Sequence, residues 1–138
     1  MNVSVEEYTS PILVTIDPGA SLDQAIELMQ ENGIRHLPVV RDEKVIGIVS
    51  ERDLLLHVGK NWTSMMKVGD MMSTNLLSVH VNDTLGDVAY QLSNEKVGSA
   101  IVLDNEENLF GIFTTTDALN ALVEIMHEQP DSNSSLDY

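Results

Sequence analysis

Cysteine is absent from the chain, which excludes a disulfide framework and thiolate metal sites and fits a cytoplasmic protein. Aromatic residues are scarce at 4%, so a core drawn from the 43% hydrophobic residues must be aliphatic, built from Val, Ile, Leu, Met and Ala. No apolar run approaches the roughly 18 residues that span a bilayer. The opening MNVSVEEYTS has neither a basic n-region nor an apolar h-region, so no secretory signal is expected. Cations are scarce too: seven Lys and Arg stand against 22 Asp and Glu, for a net charge of −15. Such a surface repels nucleic-acid phosphates and anionic lipid, so neither nucleic acid nor membrane is an expected partner. Catalytic and metal signatures are missing as well. There is no G-x-G-x-x-G, no P-loop Lys and no G-x-S-x-G elbow. The four His (36, 57, 80 and 127) never stand at i, i+3 or i+4, and DNEENL lacks the Gly and spacing of a calcium loop, so no metal is expected.

What the chain does contain is a repeat. Sliding the sequence by 63 residues lays LVTIDPGASLDQAIELMQENGIRHLPVV (13–40) over LLSVHVNDTLGDVAYQLSNEKVGSAIVL (76–103) without a gap. One inserted residue in the loop 104–108 then brings Gly47, Ile48 and Asp53 onto Gly111, Ile112 and Asp117. Two copies in 138 residues imply two halves packed about a pseudo-twofold axis rather than an extended array.

Each copy reads β-α-β-β-α, an α/β (α+β) pattern. A short strand (13–16; 76–79) leads to a helix that starts at Ser21 or Thr84. Leu22, Ala25, Ile26 and Met29 make one helical face, as do Leu85, Val88, Ala89 and Leu92. Gly33 supplies the glycine that ends the first helix, whereas Lys96 stands at the matching place in the second and carries no such signal. Strands 37–41 and 45–49, and 99–103 and 109–113, flank the polar turns RDEK and DNEEN. A second helix opens at Ser50 or Thr114. The expected division is repeat 1 over 6–60, a connecting segment 61–72 with Met71 and Met72 packed, repeat 2 over 73–128, and a disordered tail at 129–138.

The phrase GIVSERD (47–53) returns as GIFTTTD (111–117), a strand running almost directly into a helix. Gly47 allows backbone or ligand to approach closely. Ser50 sits at the N-cap, where its oxygen satisfies an orphan N–H, and the first turn of the helix favours an anion. Asp53, three residues on, is an acceptor suited to two vicinal hydroxyls. Ser-x-x-Asp is also close to a capping box that needs no ligand, and the sequence leaves pure capping and capping with binding both open. Four of the seven cations, Arg35, Arg41, Lys44 and Arg52, fall between 35 and 52, with His36 among them. Their aligned partners Gly98, Asp104, Asn108 and Thr116 are not cationic. The cleft served by Arg35, His36 and Arg52 is therefore expected to take the more phosphorylated ligand, while Arg41 and Lys44 decorate a hairpin turn.

The residues ASLDQAIELMQENGIRHLPVV with KVIGIVSERDLL, and DTLGDVAYQLSNEKVGSAIVL with LFGIFTTTDAL, resemble the cystathionine-beta-synthase (CBS) domain, and the pair resembles a Bateman module. EEYTSPILVTI and KVGDMMSTNLLSV resemble the lead-ins of the first and second domain. The resemblance implies a stand-alone, non-catalytic regulatory module with clefts for AMP, ADP, ATP or S-adenosylmethionine, no resident cofactor, and an unknown protein as its target. It gives phosphate contact to Ser50 and Thr114 and ribose contact to Asp53 and Asp117. Adenine would need an apolar slot edged by backbone N–H and C=O groups; the candidates are Thr15, Ile16, Pro38, Ser78, Val79, Ser99 and Ala100. Pro38 cannot donate to a ladder, which places it on an edge or at a strand start. Ala118, Leu119, Ala121, Leu122, Ile125 and Met126 make the last helix apolar over a broad stripe, which suggests a second packing surface; the resemblance implies dimerisation through such helices, so a homodimer is expected. The competing reading is a constitutive protein–protein adaptor whose clefts hold no physiological ligand.

Overall fold

The structure, a computed structural model, describes residues 3–57 and 65–127. In chain order it contains a 3-10 turn (Val5–Tyr8), β1 (Ser10–Pro11), α1 (Leu22–Asn32), β2 (His36–Arg41), β3 (Lys44–Ser50), α2 (Glu51–Leu55), α3 (Val68–Met71), β4 (Leu77–His80), α4 (Leu85–Glu95), β5 (Ser99–Leu103), β6 (Leu109–Thr114) and α5 (Thr115–His127). The architecture is mixed α/β, as the sequence pattern implies. The notional tail at 129–138 and part of the connecting segment lie outside the described residues.

The compact units are not the two contiguous repeats. One, here the terminal unit, joins Met1–Pro11 to Leu77–Tyr138; the other, the central unit, is Ile12–Leu76. Each lead-in therefore builds into the unit formed by the other copy's helices and hairpin, so the compact units cut across the sequence repeats. Val5 is fully buried among Val79, Val88, Val102 and Phe113, while Val68, 63 residues on, is fully buried among Leu22, Met29, Val39 and Val49. The backbone repeats the exchange. Val5 N–H donates to the Asp83 carbonyl and Val68 N–H to that of Ala20, both at 2.8 Å. The reason is burial: a short turn with one apolar side chain is not stable by itself, and the open end of the neighbouring copy's sheet supplies the core it needs.

The terminal unit's sheet runs β1-β6-β5-β4, with β4 parallel to β5 and the other pairs antiparallel. The central unit holds the β2–β3 hairpin with one bridge on each side, Ile48 to Ser73 and Ile16 to Val39. The two sheets follow one plan, but the expected strand 13–16 shrinks to that single Ile16 bridge. Pro38 explains the difference. Ile16 N–H donates to the Pro38 carbonyl at 3.0 Å and Val40 N–H to that of Ile16 at 2.9 Å. The next ladder bond would need a Pro38 N–H, which does not exist. In the other copy Ile101 stands at this place, its N–H is available to the Leu77 carbonyl, and β4 extends over four residues. Pro38 is buried inside β2, the outer full strand of its two-stranded sheet, on the side where only the Ile16 bridge forms.

The glycines of the repeated phrase serve this packing. A Cβ on Gly47 would lie 2.5 Å from Met72 Sδ, and one on Gly111 would run into the Ser10 carbonyl and lie 2.9 Å from Thr9 Cγ2. It is thus the exchanged lead-in, rather than a ligand, that comes close to both glycines. Each hairpin also carries a bulge at the same place, Ile46 and Phe110 being the extra residues between the paired positions 45 and 47, and 109 and 111. The turns differ by the inserted residue. Asp42 and Glu43 both have positive φ (52° and 66°), the two-residue turn that matches strand twist. The longer loop closes with Asp104 N–H on the Asn108 carbonyl at 2.8 Å and carries one positive φ, at Glu107.

The ends of α1 and α4 follow the caps read from sequence at Ser21, Gly33 and Thr84, and the fourth end, at Lys96, had no signal to follow. Ser21 Oγ accepts from Gln24 N–H at 3.1 Å while Gln24 Oε1 accepts from Ser21 N–H at 2.9 Å, a closed capping box. Thr84 Oγ1 accepts from Asp87 N–H at 3.2 Å. Gly33 ends α1 in the left-handed region at φ 63°, and Lys96 ends α4 in the same region at φ 56°. A lysine there lacks glycine's freedom and holds the conformation because Lys96 N–H and Val97 N–H cap the carbonyls of Ser93 and Leu92. Lys96→Gly should therefore raise stability by roughly 0.5–1 kcal/mol, read from urea unfolding. The exchanged lead-in has its own test. Val5→Ala should cost about 2 kcal/mol and lower amide protection first in α4, β5 and β6; first loss in α1 would contradict the exchange.

Candidate ligand-binding site

In each unit a hairpin end, a helix start and the outer edge of the sheet are joined by backbone bonds. In the central unit β3 ends at Ser50, whose register partner across the hairpin is His36. The first amide of α2, Glu51 N–H, donates to the Arg35 carbonyl at 2.8 Å, which fixes the helix start to the start of β2. In the terminal unit Thr114 pairs with Ser99, and Thr115 N–H donates to the Gly98 carbonyl at 3.0 Å. These two clamps are identical in plan. They were not readable in advance, since any residue type supplies a carbonyl.

The hydroxyl residues cap as expected, but the two aspartates are used differently. Ser50 Oγ accepts from Asp53 N–H at 3.1 Å, and the Asp53 carboxylate, exposed, takes no hydrogen bond or ion pair among the described residues. Asp117 closes a full box instead. Its Oδ2 accepts from Thr114 N–H at 2.9 Å and from Thr114 Oγ1 at 3.0 Å, while Asp117 N–H donates to Thr114 Oγ1 at 3.2 Å. The capping interpretation left open by the sequence is therefore complete in one copy and half-made in the other. Both donors fall on Oδ2, so about half of the Asp117 carboxylate's accepting capacity is taken and its orientation is fixed, whereas Asp53 retains its full capacity among the described residues.

The remaining candidates divide by burial and by where their backbone groups point. Ile16 and Val79 are core residues of the central and terminal units, and Ala100 is fully buried. Ile16 has both its N–H and its C=O committed to β2. Their neighbours Thr15 and Ser78 are exposed, and strand alternation turns their backbone N–H and C=O away from β2 and β5 toward the outer edge. Thr15 lies beside Pro38, two residues along β2 from His36; Ser78 pairs with Ile101, two residues along β5 from Ser99. Each unit thus presents an edge donor–acceptor pair near its strand-to-helix junction.

Charge separates the units further. The central unit contains six of the seven Lys and Arg with nine carboxylates, net −3; the terminal unit contains only Lys96 with 13, net −12. Arg35, whose carbonyl holds the Glu51 N–H, and Arg52, two residues past Ser50, are exposed and form no ion pair among the described residues. Thr116, exposed at the position that matches Arg52, brings no charge. Arg41 and Lys44 are register partners at the turn end of the hairpin, at the other end of β2 and β3 from His36 and Ser50. Among the described residues no cluster of His, Asp or Glu is arranged to hold a metal ion, and no helix is long and apolar enough to cross a membrane.

Known proteins share the fold. The CBS domain profile matches residues 5–60 and again residues 68–124. A structure of CBSX2 in complex with AMP is 31% identical and superimposes with a TM-score of 0.70 over 90% of this chain and 98% of its own. A CBS domain-containing protein of Dictyostelium discoideum is 28% identical over 94% of this chain and 98% of its own length. A homoserine O-acetyltransferase of Methanosalsum zhilinae is 25% identical over 88% of this chain, which spans only 24% of that protein. Several curated relatives are likewise longer, the chain spanning 40% and 46% of two from Methanocaldococcus jannaschii. Matched twice and over most of its length, the chain belongs to the CBS domain family.

Proposed function

We propose that the chain is a non-catalytic regulatory module that binds an adenosine-containing ligand, through the central unit first, and passes occupancy on to a protein target. The observation that carries this reading is the Asp53 carboxylate at the Ser50 junction: next in sequence to Arg52, it takes no hydrogen bond or ion pair among the described residues. The AMP bound to CBSX2 supports the ligand class. In this reading Asp53 accepts from the two ribose hydroxyls and the backbone edge at Thr15 meets adenine. Ser50, Arg35 and Arg52 face the phosphates, with His36 beside them. Charge-assisted bonds from guanidinium replace the water a phosphate gives up, so AMP, ADP or ATP is preferred here to S-adenosylmethionine. In the terminal unit Ser78, Ser99, Thr114 and Thr116 outline an equivalent place, but the closed Thr114–Asp117 box and the net charge of −12 make it the weaker one. Regulation then follows from differential affinity of the ligand for two packings of the protein.

Titrations of AMP, ADP, ATP and S-adenosylmethionine, followed by calorimetry and by thermal melting, test this directly. A ligand of the native state raises the melting temperature with concentration. Asp53→Asn should weaken the preferred nucleotide about tenfold or more with little change in stability, since a hydrogen bond to a charged group is worth about 1.5–3 kcal/mol. Asp117→Ala should leave affinity within about twofold and lower stability by about 1 kcal/mol through the lost cap. Equal weakening by both would contradict the division of roles. Arg52→Ala should weaken ATP at least about tenfold more than adenosine; equal losses for the two would remove Arg52 from the phosphate site. The adaptor alternative draws on the exposed apolar face of α5 and gains support if none of the four ligands shifts the melting temperature at millimolar concentration.

A further inference from the structure

The seven methionines are not spread evenly. Four of them, Met65, Met66, Met71 and Met72, belong to the second lead-in, and the chain has no Cys, so thioethers are its only oxidisable sulfur. The 63-residue offset sets these four over Asn2, Val3, Tyr8 and Thr9, none of which contains sulfur. Both lead-ins close a sheet and bury one valine, but only the central unit's is built with methionine. Burial sorts the thioethers further. Met65 and Met126 are exposed, at 80% and 63%, and Met29 is shut inside the central core. Met66, Met71 and Met72 are half-buried and packed on that core. A thioether at this depth is within reach of a small peroxide and still has packing to lose.

Met72 makes the contact on which the lead-in turns. Its Cβ, Cγ and Sδ all come within 3.0 Å of the place a Cβ on Gly47 would take, so the side chain lies flat over the bare backbone of β3. Gly47 is buried and paired with Val39 of β2, and it has no side chain that could turn aside. Directly after Met72, Ser73 N–H donates to the Ile48 carbonyl at 2.8 Å and Ile48 N–H to that of Ser73 at 3.0 Å. These two bonds fasten the lead-in to β3. At the matching place in the terminal unit stands Thr9, whose Oγ1 donates to the Val5 carbonyl at 2.7 Å and whose Cγ2 meets Gly111. A peroxide leaves that side chain unchanged.

We propose that Met72 is an oxidative modification site whose conversion to the sulfoxide by a hydroperoxide unseats the second lead-in and loosens the central unit, while the terminal unit stays closed. The Met72 sulfur lone pair attacks the terminal peroxide oxygen and the O–O bond breaks. The departing oxygen takes the proton from the transferred one and leaves as water or an alcohol. Sulfur is oxidised by two electrons and the peroxide is reduced by two. The product sets a polar S=O against apolar neighbours and a backbone that cannot yield, so the lead-in is the part that moves. The unit affected is the one that carries Ser50 and Asp53, but the inference does not rest on a ligand there, and its test contains no nucleotide.

The chain is treated with rising hydrogen peroxide, each methionine is scored by peptide mass spectrometry, and amide exchange is followed in both units. Met65 and Met126 should oxidise first, with no change in protection. Exchange in α1, β2 and β3 should then quicken about tenfold or more in step with Met72 sulfoxide, while that in α4, β5 and β6 stays within about twofold. Methionine sulfoxide reductases A and B together, one for each sulfoxide epimer, should reverse the change. Met72→Leu, an apolar change of similar volume, should keep the central unit protected at the same dose. Met72→Gln, which sets an uncharged polar group there without oxidant, should reproduce the loss. The parent's dose course is independent of how either variant folds. The proposal is overturned if protection falls before Met72 is oxidised, if both units loosen together, or if Met72 stays a thioether until the protein unfolds. It is also overturned if Met72→Leu loses protection as readily as the parent, or if Met72→Gln is protected as well as the untreated parent.

Discussion

Each half of this protein depends on the burial of one valine that arrives from the other half of the sequence. Val5 completes the core of the terminal unit and Val68 that of the central unit, and the chain that follows each becomes an outer edge of a sheet. Gly111 and Gly47 are the cost of that arrangement, because the incoming backbone or Met72 occupies the space where a Cβ would stand. Once the lead-ins are seated, the hairpins, the clamps from Glu51 and Thr115, and the helix starts fall into equivalent places in both units. The candidate site is therefore a by-product of how the sheets are closed.

Much of the fold was legible in the residues. A gapless offset of 63, matching apolar faces on α1 and α4, and polar turns between paired strands located every element of the two copies within one or two residues, except the strand at 13–16. The exchange of lead-ins was not legible, because an apolar residue in a short turn signals only that it will be buried, not in which copy. The left-handed conformation of Lys96 was equally silent, since only glycine advertises it. The shortened strand could have been anticipated from Pro38, whose missing N–H lies in the one ladder that the sequence repeat predicts at that place.

The site shows a similar mixture. Residue identity brought Ser50, Asp53, Thr114 and Asp117 forward, and the structure seats all four at strand-to-helix junctions. What identity does not encode is commitment: the same Asp serves a closed hydrogen-bonded box in one copy and takes no partner among the described residues in the other. Burial then sorted the adenine candidates, moving Ile16, Val79 and Ala100 into the cores and leaving Thr15 and Ser78 at the edges. Charge had already pointed to the same half of the molecule, because a cation is visible in sequence whether or not its partner is.

Pro38 has one more effect, on compliance. The segment that carries Thr15 is fastened to β2 by two hydrogen bonds at Ile16, whereas Ser78 sits within a strand held along its whole length by β5. Less of the backbone must be disturbed to displace the first than the second. The central unit can thus adjust its sheet edge to fit what it meets, while the terminal unit keeps a stiffer contour.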